Sequence, residues 1–231
     1  MTRLLLLGHG RMGTLVEALA PEYNCEVAAI LTGKDGAAAI ESLGPGEIDV
    51  AIDFTEPDAV LGNVIALSRR RINVVIGTTG WQAVEGDARA AAKAAGIGVL
   101  AATNFSIGLH LFRRAVATAA AGFSSDPSVE AWIHEAHHSR KKDAPSGTAL
   151  TLRASMEAAG YDRPIDMSST RAGSIPGTHT VGFDGPSETV VMTHTVRDRA
   201  VFARGAIEIA RWLVGRRGWM TIEDYLDSRV G

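Results

Sequence analysis

The sequence predicts an α/β chain: a doubly wound parallel sheet with helices on both faces, followed by a second α+β domain with a mixed, mostly open sheet. Three observations carry this. Short apolar runs alternate with helix-like segments up to Phe105; a glycine loop, GHGRMG, joins the first run to the first helix; and beyond Phe105 the rhythm changes to segments that alternate polar and apolar residues. Continuous apolar runs set between helices read as strands buried on both faces, which parallel sheets require.

Taken in order, strands are predicted at 4–7 (LLLL), 27–31 (VAAIL), 49–54 (DVAIDF), 73–77 (NVVIG) and 97–102 (IGVLAA), with helices between them at 12–20, 57–70 and 81–95. The segment 32–46, TGKDGAAAIESLGPG, holds either a short crossover helix or only a loop. A helix at 109–122, a strand at 129–136 and a helix at 149–160 follow, then a long β-prone stretch. In it, 179–183 and 188–197 alternate as a sheet with one open face does. The amphipathic AIEIARWLV at 206–214 forms a last helix that returns to the first domain. The predicted domains are thus 1–105 with 206–231, and 106–205.

With 231 residues, 46% of them hydrophobic and 21% charged, the chain has globular composition, and its net charge of -3 gives no reason to expect nucleic acid or an anionic membrane as partner. The opening MTRLLLLGHG is too short in apolar residues for a signal segment or a membrane span, so a cytoplasmic protein is expected. Cys25 stands alone in an apolar strand and reads as a buried, inert thiol.

Gly8, Gly10 and Gly13 give GxGxxG between a strand and a helix. That spacing suits a dinucleotide: the first glycine makes the turn, the second admits the pyrophosphate, and the third lets helix and strand pack. Free amides at the helix start then meet the phosphates. Sites that prefer NADH place a carboxylate at the end of the second strand, but here Ile30 and Leu31 run into Thr32, Gly33 and Lys34. Thr32, Lys34 and Arg11 offer a hydroxyl and two cations to a 2′-phosphate, so NADPH is expected to serve at least as well as NADH.

A second cluster, HHSRKKDAPSGTAL at 137–150, crowds two histidines, an arginine and two lysines before a proline, a serine and a glycine. Ser146 reads as an N-cap, which leaves the amides of Gly147 and Thr148 unpaired at a helix start, an anion site that Gly147 keeps open. Cations leading into such a site favour a small carboxylate or phosphate; the bland alternative is a solvated basic loop. The cluster lacks interleaved aromatics for nucleic acid, and its adjacent histidines lack a Cys or Glu at zinc spacing, so no metal is expected.

The run EAHHSRKKDAPSGTA at 135–149 resembles the signature of the 4-hydroxy-tetrahydrodipicolinate (dihydrodipicolinate) reductase family, roughly ExHHxxKxDAPSGTA. GRMG at 10–13, DFTEP at 53–57, GTTG at 77–80, NFSIG at 104–108, GTHTVGF at 177–183 and HTVRDRAVFARGA at 194–206 agree in order, so the resemblance covers the chain. It implies a Rossmann-type nucleotide domain, a substrate domain that also builds a homotetramer, and reduction of a cyclic dicarboxylate in diaminopimelate and lysine biosynthesis. It implies His137 and Lys141 as the catalytic pair, with proton donation shared between them, and His138, Gly147 and Thr148 as substrate contacts. Its cofactor contacts fall on Gly8, His9, Gly10, Arg11, Met12 and Gly13, on Gly77, Thr78 and Thr79, and on Ala102, Thr103, Asn104 and Phe105. Arg199 also matches a family position, as either a substrate contact or a structural partner.

The chain departs from the family in a glycine loop one residue short of GxxGRMG, in Thr32 and Gly33 where an acid or arginine is usual, and in little chain between the second and third strands. Two other readings account for the glycine loop, a dehydrogenase of the aspartate dehydrogenase type and a non-catalytic dinucleotide sensor. Neither explains the HHSRKKDAPSGTA run.

Overall fold

A computed structural model describes residues 1–33, 36–44 and 46–229. The chain divides into two compact units, Met1–Ser106 with Ala200–Gly231, and Ile107–Arg199.

The first unit is a six-stranded sheet of β1 (Thr2–Leu7), β2 (Cys25–Leu31), β3 (Val50–Asp53), β4 (Asn73–Ile76), β5 (Gly98–Ala101) and β10 (Gly218–Met220). All its pairings are parallel, in the order β10-β5-β4-β3-β1-β2. The helices are α1 (Arg11–Leu19), α2 (Gly36–Glu41), α3 (Val60–Arg70), α4 (Glu85–Ala95), α7 (Ala200–Leu213) and α8 (Ile222–Asp227). Alternation along each strand sends side chains to both faces, and both are covered. Leu5, Leu7, Val74, Ile76 and Val99 pack with Ile40, Val64, Leu67 and Ala92 of α2, α3 and α4, while α7 lies against β3, β4 and α1. Chain connections leave β1 toward β2 and β3 toward β4, so the strand order reverses between β1 and β3. Ligands of such sheets bind outside the strand ends at that reversal.

The predicted strands and helices of this unit are all present, and the ambiguous segment carries the short helix α2. Helix α7 begins at Ala200 rather than 206, because Gly205 is buried in its interior and packs there instead of ending it. The short β10 and α8 are not visible in the sequence pattern. Cys25 is buried, and burial pushes its thiol above the usual range.

The second unit holds α5 (Ile107–Phe123), β6 (Glu130–His137), α6 (Gly147–Ala158), β7 (Ile165–Arg171), β8 (Thr178–Asp184) and β9 (Thr189–Thr195). Its sheet is mixed, in the order β7-β6-β8-β9: β7 runs parallel to β6, while β8 is antiparallel to both β6 and β9. Ile133, Val181, Phe183, Leu152, Met156 and Tyr161 form its core with α5 and α6. Val190 and Val191 of β9 are exposed, in keeping with an open sheet.

Candidate active site

At the reversal point of the first sheet lies a cleft of about 710 Å³, lined by Gly8, His9, Gly10, Thr32 and Gly33 and by Phe54, Thr55, Glu56 and Asp58 after β3. The backbone itself requires Gly8 and Gly13, while Gly10 stands in open space. Gly8 has φ +88°, and a Cβ there would stand 2.4 Å from the Phe54 carbonyl oxygen. A Cβ on Gly13 would fall 2.2 Å from the Gly8 oxygen, whereas one on Gly10 would meet nothing within 4 Å. Gly10 is also the N-cap of α1 and brings no capping side chain, so the helix amides stay available. The loop therefore fits a pyrophosphate, despite its shortness: two glycines let the backbone close and the third leaves space in front of the helix.

Around this loop, His9 is tied to Glu17 at 2.7 Å, Arg11 is exposed and Met12 is half-buried. Thr32 and Gly33 are exposed at the end of β2; Lys34 lies outside the described residues. Gly77, Thr78 and Thr79 follow β4, and Ala102, Thr103, Asn104 and Phe105 follow β5, the neighbouring strand. Thr79 is exposed, while the Thr78 hydroxyl is buried and donates toward Asp53 at 3.1 Å. Asp53, fully buried at the end of β3, also accepts from the Thr55 amide and hydroxyl and from Asn63. This carboxylate fixes the turn that carries Phe54. A Cβ on Gly77 would collide with the Phe54 ring, which meets Phe105 edge to face at 6.2 Å. Phe54, Thr55, Glu56 and Asp58 were missed as cleft residues; the signal for them is that the turn after β3 faces the turn after β1 across the reversal.

In the second unit, the chain runs from His137 at the end of β6 through Lys141 to the start of α6 at Gly147. Ser146 caps that helix, accepting from the Ala149 amide at 3.2 Å. Gly147 is exposed with nothing within 4 Å of a Cβ position, and Thr148 is half-buried. Lys141 Nζ donates to Asp143 at 2.8 Å. That bond, joined by the Gly147 amide, holds the Asp143 carboxyl below its usual range. The loop's own carboxylate thus engages the Lys141 ammonium. His138 is half-buried, and its Nδ1 has no hydrogen-bond partner among the described residues. Arg199 is exposed at the end of this unit.

His137 Nδ1 hydrogen-bonds Glu135 Oε2. Glu135 is fully buried and takes a bidentate pair from Arg171, at 2.9 and 2.6 Å, and the Ser146 amide at 3.2 Å. Burial pushes its carboxyl up, but hydrogen bonds from Arg171, Ser169 and His137 outweigh this and bring it to about 2. His179 stands edge-on to His137 with ring centroids 5.1 Å apart and meets the Ser146 hydroxyl at 3.0 Å. Burial, with the charge of His137, lowers His179 to about 4, so it is neutral near pH 7. Glu135, His137 and His179 offer atoms within 4.8 Å of one another, yet the guanidinium already spans both Glu135 oxygens and would repel a divalent cation. Glu135 was missed as a site residue; the signal for it is strand periodicity, since residues two apart share a face. Arg171 was not, because only the β6/β7 register sets it beside His137.

Two family models match the chain: "Dihydrodipicolinate reductase, N-terminus" over residues 2–105 and "Dihydrodipicolinate reductase, C-terminus" over 108–226. The 4-hydroxy-tetrahydrodipicolinate reductase of Stenotrophomonas maltophilia is 40% identical over 230 residues, covering 93% of this chain and 92% of the relative. That of Christiangramia forsetii is 34% identical over 240 residues, covering 97% and 98%. The fold is similar to that of dipicolinate-bound dihydrodipicolinate reductase from Paenisporosarcina sp. TG-14, with a TM-score of 0.79 at 22% identity over 96% of this chain and 97% of the other.

Proposed function

The chain belongs to the dihydrodipicolinate reductase family, and from that membership we infer how its residues divide the reaction. It is a pyridine-nucleotide-dependent oxidoreductase that reduces 4-hydroxy-tetrahydrodipicolinate to tetrahydrodipicolinate in diaminopimelate and lysine biosynthesis, the 4-hydroxyl leaving as water. The first unit binds the cofactor at the cleft beside Gly10, with the turns after β4 and β5 completing the site. When bound, NADPH or NADH supplies the hydride. The second unit binds the cyclic dicarboxylate through His138 and the amides of Gly147 and Thr148, where a substrate carboxylate meets the helix N-terminus. His137 and Lys141 meet the negative charge that develops as hydride adds, and His137 gives the proton. The enzyme works as a cytoplasmic homotetramer built on the open sheet.

The observation that carries this reading is the short path from His137 through Lys141 to Gly147, which sets an imidazole, an ammonium and the first amides of α6 on one stretch of chain. Lys141→Ala and His137→Gln should each lower kcat by ~10²-fold or more with little change in cofactor affinity. The test is a coupled assay in which pyruvate and aspartate semialdehyde pass through dihydrodipicolinate synthase while NADPH and NADH oxidation are followed separately. Oxidation that requires the synthase supports the assignment, and near-normal turnover in both variants sinks the residue roles. With no carboxylate at Thr32 or Gly33, NADPH should serve at least as well as NADH; a roughly tenfold preference for NADH in binding would refute that.

A further inference from the structure

We propose that Glu135 is a positioning residue for proton transfer: held ionised by Arg171, it binds His137 Nδ1 and so dedicates Nε2 to the substrate. The proposal rests on the reading of His137 as proton donor and says why that histidine, among several, is equipped for the role. Three observations support it. The Glu135 carboxylate is fully buried, and His137 is 12% exposed, so the pair does not depend on a mobile surface contact. Arg171 contributes one donor to each Glu135 oxygen, which stabilises the anion and keeps the shared proton on the imidazole side. On the other side of the ring, Gly177 has φ +144°, and a Cβ there would stand 3.2 Å from His137 Nε2. A bare backbone therefore flanks the nitrogen that the proposal assigns to the reaction.

His137 begins as imidazolium, protonated on both nitrogens. The Nε2–H bond breaks, its proton passes to the reduced substrate, and its electron pair stays on the ring. What remains is the neutral tautomer with Nδ1–H bonded to Glu135, so the same carboxylate stabilises the ring before and after transfer. Glu135→Gln is a pointed substitution because of where the donors lie. Arg171 donates to both oxygens, but Oε1 also accepts from the Ser146 amide, which can only donate, whereas the His137 ring at Oε2 can change tautomer; the glutamine carbonyl therefore settles at Oε1 and its NH2 group faces His137. An NH2 group cannot accept from Nδ1–H, and it favours the opposite tautomer.

The test is the nitrogen spectrum of histidine-labelled protein, with His137 assigned by its loss in His137→Gln, alongside steady-state kinetics. The neutral wild-type ring should carry its proton on Nδ1 and that of Glu135→Gln on Nε2. kcat should fall by ~10²-fold or more while NADPH affinity holds, and Glu135→Asp should recover part of the rate. A wild-type ring protonated on Nε2 overturns the proposal even if the glutamine variant does not fold. So does a folded Glu135→Gln with kcat within about threefold of wild type. If His137→Gln itself turns over normally, the proton-donor reading fails; if it is inactive while Glu135→Gln is unaffected, only the positioning role does.

Discussion

At the scale of single residues, the second unit keeps one histidine neutral beside another that has a carboxylate partner. His179 is 4% exposed, and burial, with the charge of His137, lowers it from 6.5 to about 4. Glu135 works in the other direction, and His194 and Lys141 add to the lowering. Because the unfolded chain takes up this proton near 6.5 and the folded one only near 4, stability is full above 6.5 and declines as pH falls toward 4. The loss attributable to His179 should be on the order of 2 kcal/mol, and His179→Gln should flatten denaturant-measured stability across that window. An unchanged slope would show that other groups govern it. The resemblance pointed to His137 and Lys141 because the family signature that carries them is local in sequence. His179 lay within a quoted motif, but only the β6/β8 pairing brings it to His137, and no short window of sequence encodes a pairing across strands.

The element that best separates folding from binding is the turn from β1 into α1. Gly10 and Gly13 are three residues apart in one motif, yet the space around them differs completely. Gly10→Asn should leave folding intact, since asparagine is a favoured N-cap, while its side chain occupies the amides that a pyrophosphate needs; NADPH binding should weaken by roughly tenfold or more. Gly13→Ala puts a methyl group against the Gly8 carbonyl and should cost roughly 1–3 kcal/mol of stability, read from denaturant unfolding. Equal effects of the two substitutions on binding and stability would contradict this division. Sequence periodicity revealed the long elements because each buries a continuous apolar face. The four-residue strands β3, β4 and β5 still show as continuous apolar runs, whereas α2 and α8 span under two helical turns and β10 has only three residues, so α2 stayed ambiguous and β10 and α8 unseen.

At the scale of the whole chain, the first unit is discontinuous, and one polar side chain ties its distant parts together. Asn73, at the start of β4, donates to the Leu213 carbonyl at 2.7 Å and the Arg216 carbonyl at 3.0 Å, and accepts from the Gly98 amide at 2.8 Å. Asn73→Ala leaves these buried backbone groups unpaired and should cost about 2–3 kcal/mol, with the loss visible as earlier hydrogen exchange in β10. Exchange in β10 that matches wild type would mean that the apolar contacts of α7 and of Trp219 with Trp81 hold the segment alone.

The placement of α7 also bears on how the protein is made. A ribosome delivers β1 to β5 first and the entire second unit next, and only then the helix that covers β3 and β4. Until α7 emerges, one apolar face of the nascent sheet is bare, while every element of the second unit, continuous in sequence, has already been made. The order of synthesis thus favours completing the substrate-binding half before the nucleotide-binding half, and the growing chain is most vulnerable to aggregation in the interval before Ala200 leaves the exit tunnel.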